Sequence, residues 1–192
     1  MTALSYTDIQ QGVFFRMDGA VYETVDAVFS KKSRQKGSNQ VRIKNIATGA
    51  VTTKTFHTSD VLEDVTVEKE EYVFVYARND EIIIHPVDKP SERTSIPSSS
   101  FPNSILIPSG TTVTALVENN EILTVRAPIK VDVLVKEAPP DVRGNTAQGG
   151  TKRVVTETGA SIATPLFIKT GDCIRINTET GEYTERVKIV ND

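Results

Sequence analysis

The 192-residue chain is poor in the residues from which catalytic and metal centres are usually built, with one cysteine, Cys173, and two histidines, His57 and His85. A lone thiol closes no internal disulfide, and without a second cysteine or clustered histidines it supplies no metal-ligand set. This composition fits a reducing compartment, so a cytoplasmic protein without metal or cofactor is expected. Neither histidine stands at a spacing to Ser, Cys or carboxylate that would pair a nucleophile with a base; both read as surface or half-buried strand residues. Cys173 follows Gly171-Asp172 at a strand start and reads as a packing residue. No catalytic residue is expected, and the protein reads as no enzyme.

Long apolar runs are missing as well. None approaches the roughly 18 residues that span a bilayer, and the N-terminus MTALSYTDIQQG has no basic region followed by an apolar core. The expectation is a protein neither secreted nor embedded, without membrane contact. A phosphate-cradling glycine motif is also absent: Gly144 to Lys152 is Gly-rich but lacks the Gly-Lys-Ser/Thr ending and a helix behind it. Acidic residues are missing from the whole of Ala27 to Ser59, in a chain of formal net charge −3. Any nucleic-acid contact must then come from local patches.

What is present is almost entirely short β runs between turn signals. Val13–Arg16 and Ala20–Asp26 flank Asp18-Gly19, a tight hairpin turn, and Val41–Ile46 and Val51–Phe56 flank Ala47 to Ala50. Residues 1–65 thus read as a meander closing into a small SH3-like barrel. The acidic stretch Glu63–Glu71 reads as a separator. Strands Tyr72–Ala77 and Glu81–His85 follow, then a Pro- and Ser-rich segment, 86–108, expected to be irregular loop. Strands resume at Thr111–Glu118 and Glu121–Arg126, with a boundary at Ala127-Pro128. The last unit carries strands at Lys130–Lys136, Arg153–Glu157, Ser161–Pro165, Cys173–Asn177 and Tyr183–Val190, the pattern of an oligonucleotide-binding (OB) barrel. The fold class is therefore all-β, three small barrels at 1–65, 66–128 and 129–192, the middle one a reduced version of the OB plan.

The acid-free span centres on SKKSRQKGSNQ, residues 30–40, a loop joining the run Val21–Phe29 to the strand Val41–Ile46. It carries Lys31, Lys32, Arg34 and Lys36 near its tip. In the following strand Arg42 and Lys44 share one face, so the basic surface is expected to continue onto the sheet. Such a cationic finger suits a phosphate backbone, or delivers a modification target to a distant site. The Gly-rich stretch with Arg143 and Lys152 reads as a second, flexible nucleic-acid-binding loop.

Several motifs together resemble the bacterial elongation factor P family. They are Asp8 to Gly12 with Asp18-Gly19, Thr48-Gly49 with Lys54-Thr55-Phe56, Arg143 to Ala147 with Gly149 to Lys152, Thr156 to Gly159, Thr164 to Ile168, Gly171-Asp172, and Gly181 to Tyr183. The resemblance spans the chain, strongly at both ends and weakly over 86–108. It implies a KOW-like first barrel and two OB-type barrels in an elongated L that mimics tRNA. It further implies a monomer that binds both ribosomal subunits beside the peptidyl-tRNA and helps peptide-bond formation at stalled consecutive prolines.

In that family the first-domain loop carries a residue that an enzyme modifies. Ungapped counts from Asp26 and from Thr48-Gly49 both place Arg34 there. This loop lacks the family's Pro and both its Gly, and a Lys-Gly pair occurs at Lys36-Gly37, which keeps Lys36 and Lys32 open as alternatives. If Lys36 were the target, the apex would shift by two residues toward the second strand, where Gly37 can take up a positive φ. Arg143, Asn145 and Lys152 match the loop placed near the small subunit and messenger RNA; Asn145 stands where the family usually has Asp. Tyr183 and Arg186 suit stacking on a base and pairing with a phosphate, Tyr183 serving equally well as an aromatic covering the barrel edge. Two other readings remain on the residues alone: a general RNA-binding module without a ribosomal role, and a non-catalytic β structural protein.

Overall fold

The computed structural model describes residues 3–30, 37–140 and 150–188. They form an all-β protein of three sheets. The first contains β1 (Ala3–Ser5), β2 (Phe14–Met17), β3 (Ala20–Ser30), β4 (Ser38–Asn45), β5 (Val51–His57) and β6 (Val61–Asp64), in the order β1-β6-β2-β3-β4-β5. The second contains β7 (Glu68–Arg78), β8 (Glu81–Pro86), β9 (Thr94–Pro97), β10 (Thr112–Glu118) and β11 (Glu121–Arg126), ordered β11-β10-β7-β8-β9. The third contains β12 (Lys130–Glu137), β13 (Thr151–Thr156), β14 (Ser161–Pro165), β15 (Cys173–Asn177) and β16 (Tyr183–Val187), ordered β14-β13-β12-β15-β16.

The hairpins form where turn chemistry demands them. Asp18 and Gly19 have φ of 52° and 77°, and Asn119 and Asn120 have 49° and 66°. Two successive positive φ values define the turn whose twist matches antiparallel strands, and Asn, Asp and Gly tolerate it best.

One expectation is corrected. Segment 86–108 is not irregular throughout: β9 pairs antiparallel with β8, Ile96 opposite Ile82, and two 3₁₀ turns follow at Ser98–Ser100 and Ser104–Leu106. Buried Ile96, Phe101 and Leu106 hold this stretch down, and Pro97 is tolerated because it ends a strand at the sheet edge. The acidic stretch 63–71 is partly strand: Glu63 and Asp64 end β6, β7 starts at Glu68, and the change from the first sheet to the second falls between them. Glu68 to Glu71 are exposed, so acidic residues are compatible with a strand there.

The chain divides into two compact units, residues 1–69 with 116–124, and 70–115 with 125–192. In the first unit, consecutive Phe14 and Phe15 point to opposite faces of β2, yet both are buried. Phe15 packs with Ile9, Val41, Ile43 and Phe56, its ring meeting Phe56 edge-on at 5.8 Å. Phe14 packs on the other side with Val21, Ile46, Val65 and Leu116, the last from the hairpin β10–β11. In the second unit, Val131, Val133 and Val135 alternate inward along β12 while Asp132, Leu134 and Lys136 face out. Ile174 and Ile176 of β15 complete the buried face.

Candidate nucleic-acid interface

The longest hairpin in the first unit is β3–β4, whose register ends at Ser30 opposite Ser38. The connection is therefore 31–37, and residue 34 is its midpoint in sequence. Lys31, Lys32, Arg34 and Lys36 lie outside the described residues; the root from which they emerge is described in detail.

At that root, Asn39 is buried, and its Nδ2 donates to the carbonyl oxygens of Tyr6 and Ile9 at 2.8 and 2.9 Å. The N-terminal segment is thereby fastened to the start of β4. Its own turn is closed by Asp8, whose Oδ2 accepts from the Ser5 Oγ and backbone N at 2.6 and 3.0 Å. Those two bonds hold the Asp8 carboxyl below the usual carboxylate range. The turn places Ile9 in the core. The Tyr6 ring lies 6.0 Å from that of Phe29, which is half exposed at the end of β3.

Gly37 closes the bracket. A Cβ on it would sit 2.7 Å from the Tyr6 hydroxyl oxygen and 3.5 Å from the Phe29 ring. Its φ is not in the positive region, so the left-handed conformation open to a glycine is not used here. Close approach requires the glycine instead.

Register also changes the meaning of the acid-free span. Arg42 is exposed, but its cross-strand partner on β3 is Asp26, and half-buried Lys44 stands opposite Glu23. Directly opposed residues share a face, so the basic side chains of β4 have acids beside them. Lys54 on β5 reaches 2.9 Å from the Met17 sulfur and lies over the Phe56 ring.

In the second unit, Arg143 and Asn145 lie outside the described residues. Lys152, half-buried at the start of β13, donates to the Pro139 carbonyl at 3.0 Å. Tyr183 is half-buried opposite Ile176 on β16. Arg186 is exposed, its guanidinium 5.7 Å from the centre of the Phe167 ring and 3.8 Å from an Asp172 carboxylate oxygen. The sequence reading brought out neither Tyr6, Phe29 and Asn39 nor Phe167. An aromatic beside a polar loop was the signal for both Phe29 and Phe167.

The half-buried Cys173 thiol is pushed up in pKa, first by burial and then by the Asp132 and Glu157 carboxylates, the opposite of an activated thiolate. His57 is exposed, and His85 Nδ1 lies 2.8 Å from the Pro86 carbonyl oxygen. Among the described residues no cluster of His, Cys, Asp or Glu could hold a metal ion, and no helix is long and apolar enough to cross a membrane.

Residues 5–62 match the family model "Elongation factor P (EF-P) KOW-like domain", and residues 131–186 match "Elongation factor P, C-terminal". Elongation factor P of Thermus thermophilus is 32% identical over 183 residues, covering 95% of this chain and 99% of the relative. The chain belongs to the elongation factor P family. The Thermoanaerobacter relative is 36% identical over 182 residues, with 94% of this chain and 97% of its own length covered. Among solved structures, eukaryotic translation initiation factor 5A from Methanococcus jannaschii aligns at TM-score 0.47 and 14% identity, over 66% of this chain and 92% of that one. The family consists of cytoplasmic, non-catalytic translation factors that act with the ribosome and tRNA, and this chain is not an enzyme. Within the family match, the Asp8 turn and the Asn39 clamp lie in the KOW-like region, and Phe167 and Arg186 in the C-terminal one.

Proposed function

We propose that the protein binds the ribosome beside the peptidyl-tRNA and promotes peptide-bond formation at stalled consecutive prolines by holding the tRNA acceptor end in place. The observation that carries this reading is the family match over almost the whole chain, with the basic connection 31–37 rooted on a clamped hairpin. Proline is a hindered nucleophile, so ordering the acceptor end restores attack geometry without any acid or base from the protein. The ribosome supplies the chemistry.

On this reading the three sheets are three domains, 1–65, 66–128 and 129–192, each a small barrel in an elongated, tRNA-like monomer. Lys31, Lys32, Arg34 and Lys36 meet the acceptor stem or ribosomal RNA, with Arg42 and Lys44 behind them. Arg143, Asn145, Lys152, Tyr183 and Arg186 meet RNA of the small subunit or the message. Arg34 is the tip residue and the target of any modifying enzyme. The Lys36-Gly37 pair then needs no enzyme to explain it, because Gly37 is accounted for by its approach to Tyr6. Arg34 also remains charged at all working pH and offers a phosphate two parallel donors.

The test is a reconstituted translation system with a Pro-Pro-Pro template and a proline-free one. The protein should speed only the first; Arg34→Ala should abolish the effect and Lys36→Ala only weaken it. Equal stimulation of both templates would sink the positional mechanism, and full activity of Arg34→Ala would remove the tip assignment.

A further inference from the structure

The connection between β14 and β15, residues 166–172, is tied down on both sides of an exposed ring. Ile168 is fully buried, and its backbone N donates to the Pro165 carbonyl at 3.2 Å. Lys169 N donates to Asp172 Oδ2 at 2.8 Å, Gly171 N to the Val135 carbonyl at 2.9 Å, and Val135 N back to the Asp172 carbonyl at 2.9 Å. Ala138 N donates to Thr170 Oγ at 3.0 Å. Between these pegs Phe167 stays 53% exposed. A large apolar ring kept in water on a fastened backbone is not explained by the core, because its neighbour Ile168 supplies the anchor.

Arg186 comes to this ring from the edge strand β16, at 5.7 Å from its centre. Its register partner is Ile174, on the buried face of β15, so the side chain lies at the rim of that face. Glu185, the next residue, is turned to the other face, where Arg175 NH1 donates to it at 2.9 Å. Asp172 Oδ2 stands 3.8 Å from Arg186 NH1 and already accepts from Lys169 N, and the Arg186 side chain stays half exposed. Lys169 and Thr170, which follow Ile168, are exposed and add a cation and a hydroxyl to the segment beside the Asp172 carboxylate. A guanidinium over an exposed aromatic ring, with a second cation two residues on, matches a nucleotide better than the apolar core of a protein interface.

We propose that Phe167 and Arg186 form a stacking site for one unpaired RNA base, with Arg186 and Lys169 meeting the adjoining phosphates. An aromatic face and a guanidinium plane both stack on bases of any sequence, and the cation adds charge attraction. The inference rests on the reading of this sheet as an RNA-contact surface and adds to it the binding element, Phe167, and its ligand class, single-stranded RNA.

The chain contains no tryptophan, so a Phe167→Trp variant carries a single indole at the site. Its emission is followed while hexaadenylate, hexauridylate, an RNA duplex or inorganic polyphosphate is added. Single strands should quench it saturably, adenine more than uracil, and the duplex and polyphosphate much less. Adding Arg186→Ala should weaken the single-strand affinity by about tenfold. Phe167→Ala should lower the affinity for fluorescently labelled hexaadenylate by a similar factor at an unchanged unfolding midpoint. Equal quenching by duplex or polyphosphate overturns the proposal in favour of unspecific charge. Quenching by RNA-free ribosomal proteins, with none from any oligoribonucleotide, overturns it in favour of a protein partner. Proline-template stimulation by the wild type is read separately: stimulation without quenching removes the stacking site and leaves the translation reading standing, and quenching without stimulation does the reverse.

Discussion

Gly37 shows how one side chain's absence lets two segments of the chain meet. The Tyr6 hydroxyl occupies the space a Cβ would take, at 2.7 Å, while the nearest carbon of the same ring is at 3.4 Å, within what a small shift relieves. Gly37→Ala should therefore destabilise the protein by about 1–3 kcal/mol, the usual cost of overpacking. Tyr6→Phe removes the clashing oxygen and should return most of that loss in the double variant, with little effect alone. Denaturant unfolding of the four proteins measures the coupling directly. An additive result would mean that Gly37 serves the backbone and not the approach. The same four proteins in the Pro-Pro-Pro assay would tell whether the bracket also sets where the basic connection leaves the sheet.

At the scale of the element, the outer face of the third sheet carries a row of charges set by register. Asp132 on β12, Arg175 on β15 and Glu185 on β16 are cross-strand partners. Arg175 donates to both Asp132 oxygens at 2.7 and 2.9 Å and to Glu185 at 2.9 Å. The Arg175 hydrogen bonds hold the Asp132 carboxyl below the ordinary range, and Arg175 is itself raised, so it stays charged throughout. A carboxyl whose folded pKa is depressed adds stability above its unfolded pKa, about 3.9, and loses it as pH falls through the folded value. Wild type should thus unfold at a higher temperature than Asp132→Asn at pH 7, and the gap should close below about pH 4. The row is largely exposed, so the gap should be modest and shrink in 1 M salt. A gap independent of pH would assign the effect to side-chain packing.

At the scale of the molecule, the hairpin β10–β11 sends residues 116–124 into the first unit. Leu116 is fully buried there against Phe14, Val21, Ile46 and Val65. Beside it, Arg16 NH2 donates to the Glu118 oxygens at 2.8 and 2.6 Å and its Nε lies 3.7 Å from Glu63. The Glu118 side chain is only 14% exposed. Removing the guanidinium leaves that carboxylate short of its partner, and Arg16→Ala should cost about 1–3 kcal/mol. Leu116→Ala should cost about 2–5 kcal/mol through the cavity it opens. Hydrogen exchange locates the damage: amides of β3 and β4 around Val21 and Ile46, far upstream in sequence, should lose protection in both variants. Loss confined to β10 and β11 would show that the first unit stands without the hairpin.

Pattern alone was enough for the all-β class and most strand positions, because period-two alternation and Asp-Gly, Asn-Asp and Asn-Asn turns are local properties of the chain; the family was legible in its motifs, from Asp8 to Gly12 through Gly181 to Tyr183. The same local view misread 86–108. A Pro- and Ser-rich stretch forms a strand when an edge position leaves its polar groups in water and buried Ile96 and Phe101 pin it, which only packing reveals. It also read an acid-free span as a basic face, whereas register sets Asp26 and Glu23 beside Arg42 and Lys44. Tertiary structure decided the pairs that no spacing announces: Asn39 with Tyr6 and Ile9, Gly37 with Tyr6, Arg16 with Glu118, Arg186 with Phe167. Each joins residues far apart in sequence or on different strands, and such contacts exist only once the sheets have brought their carriers within a few ångströms.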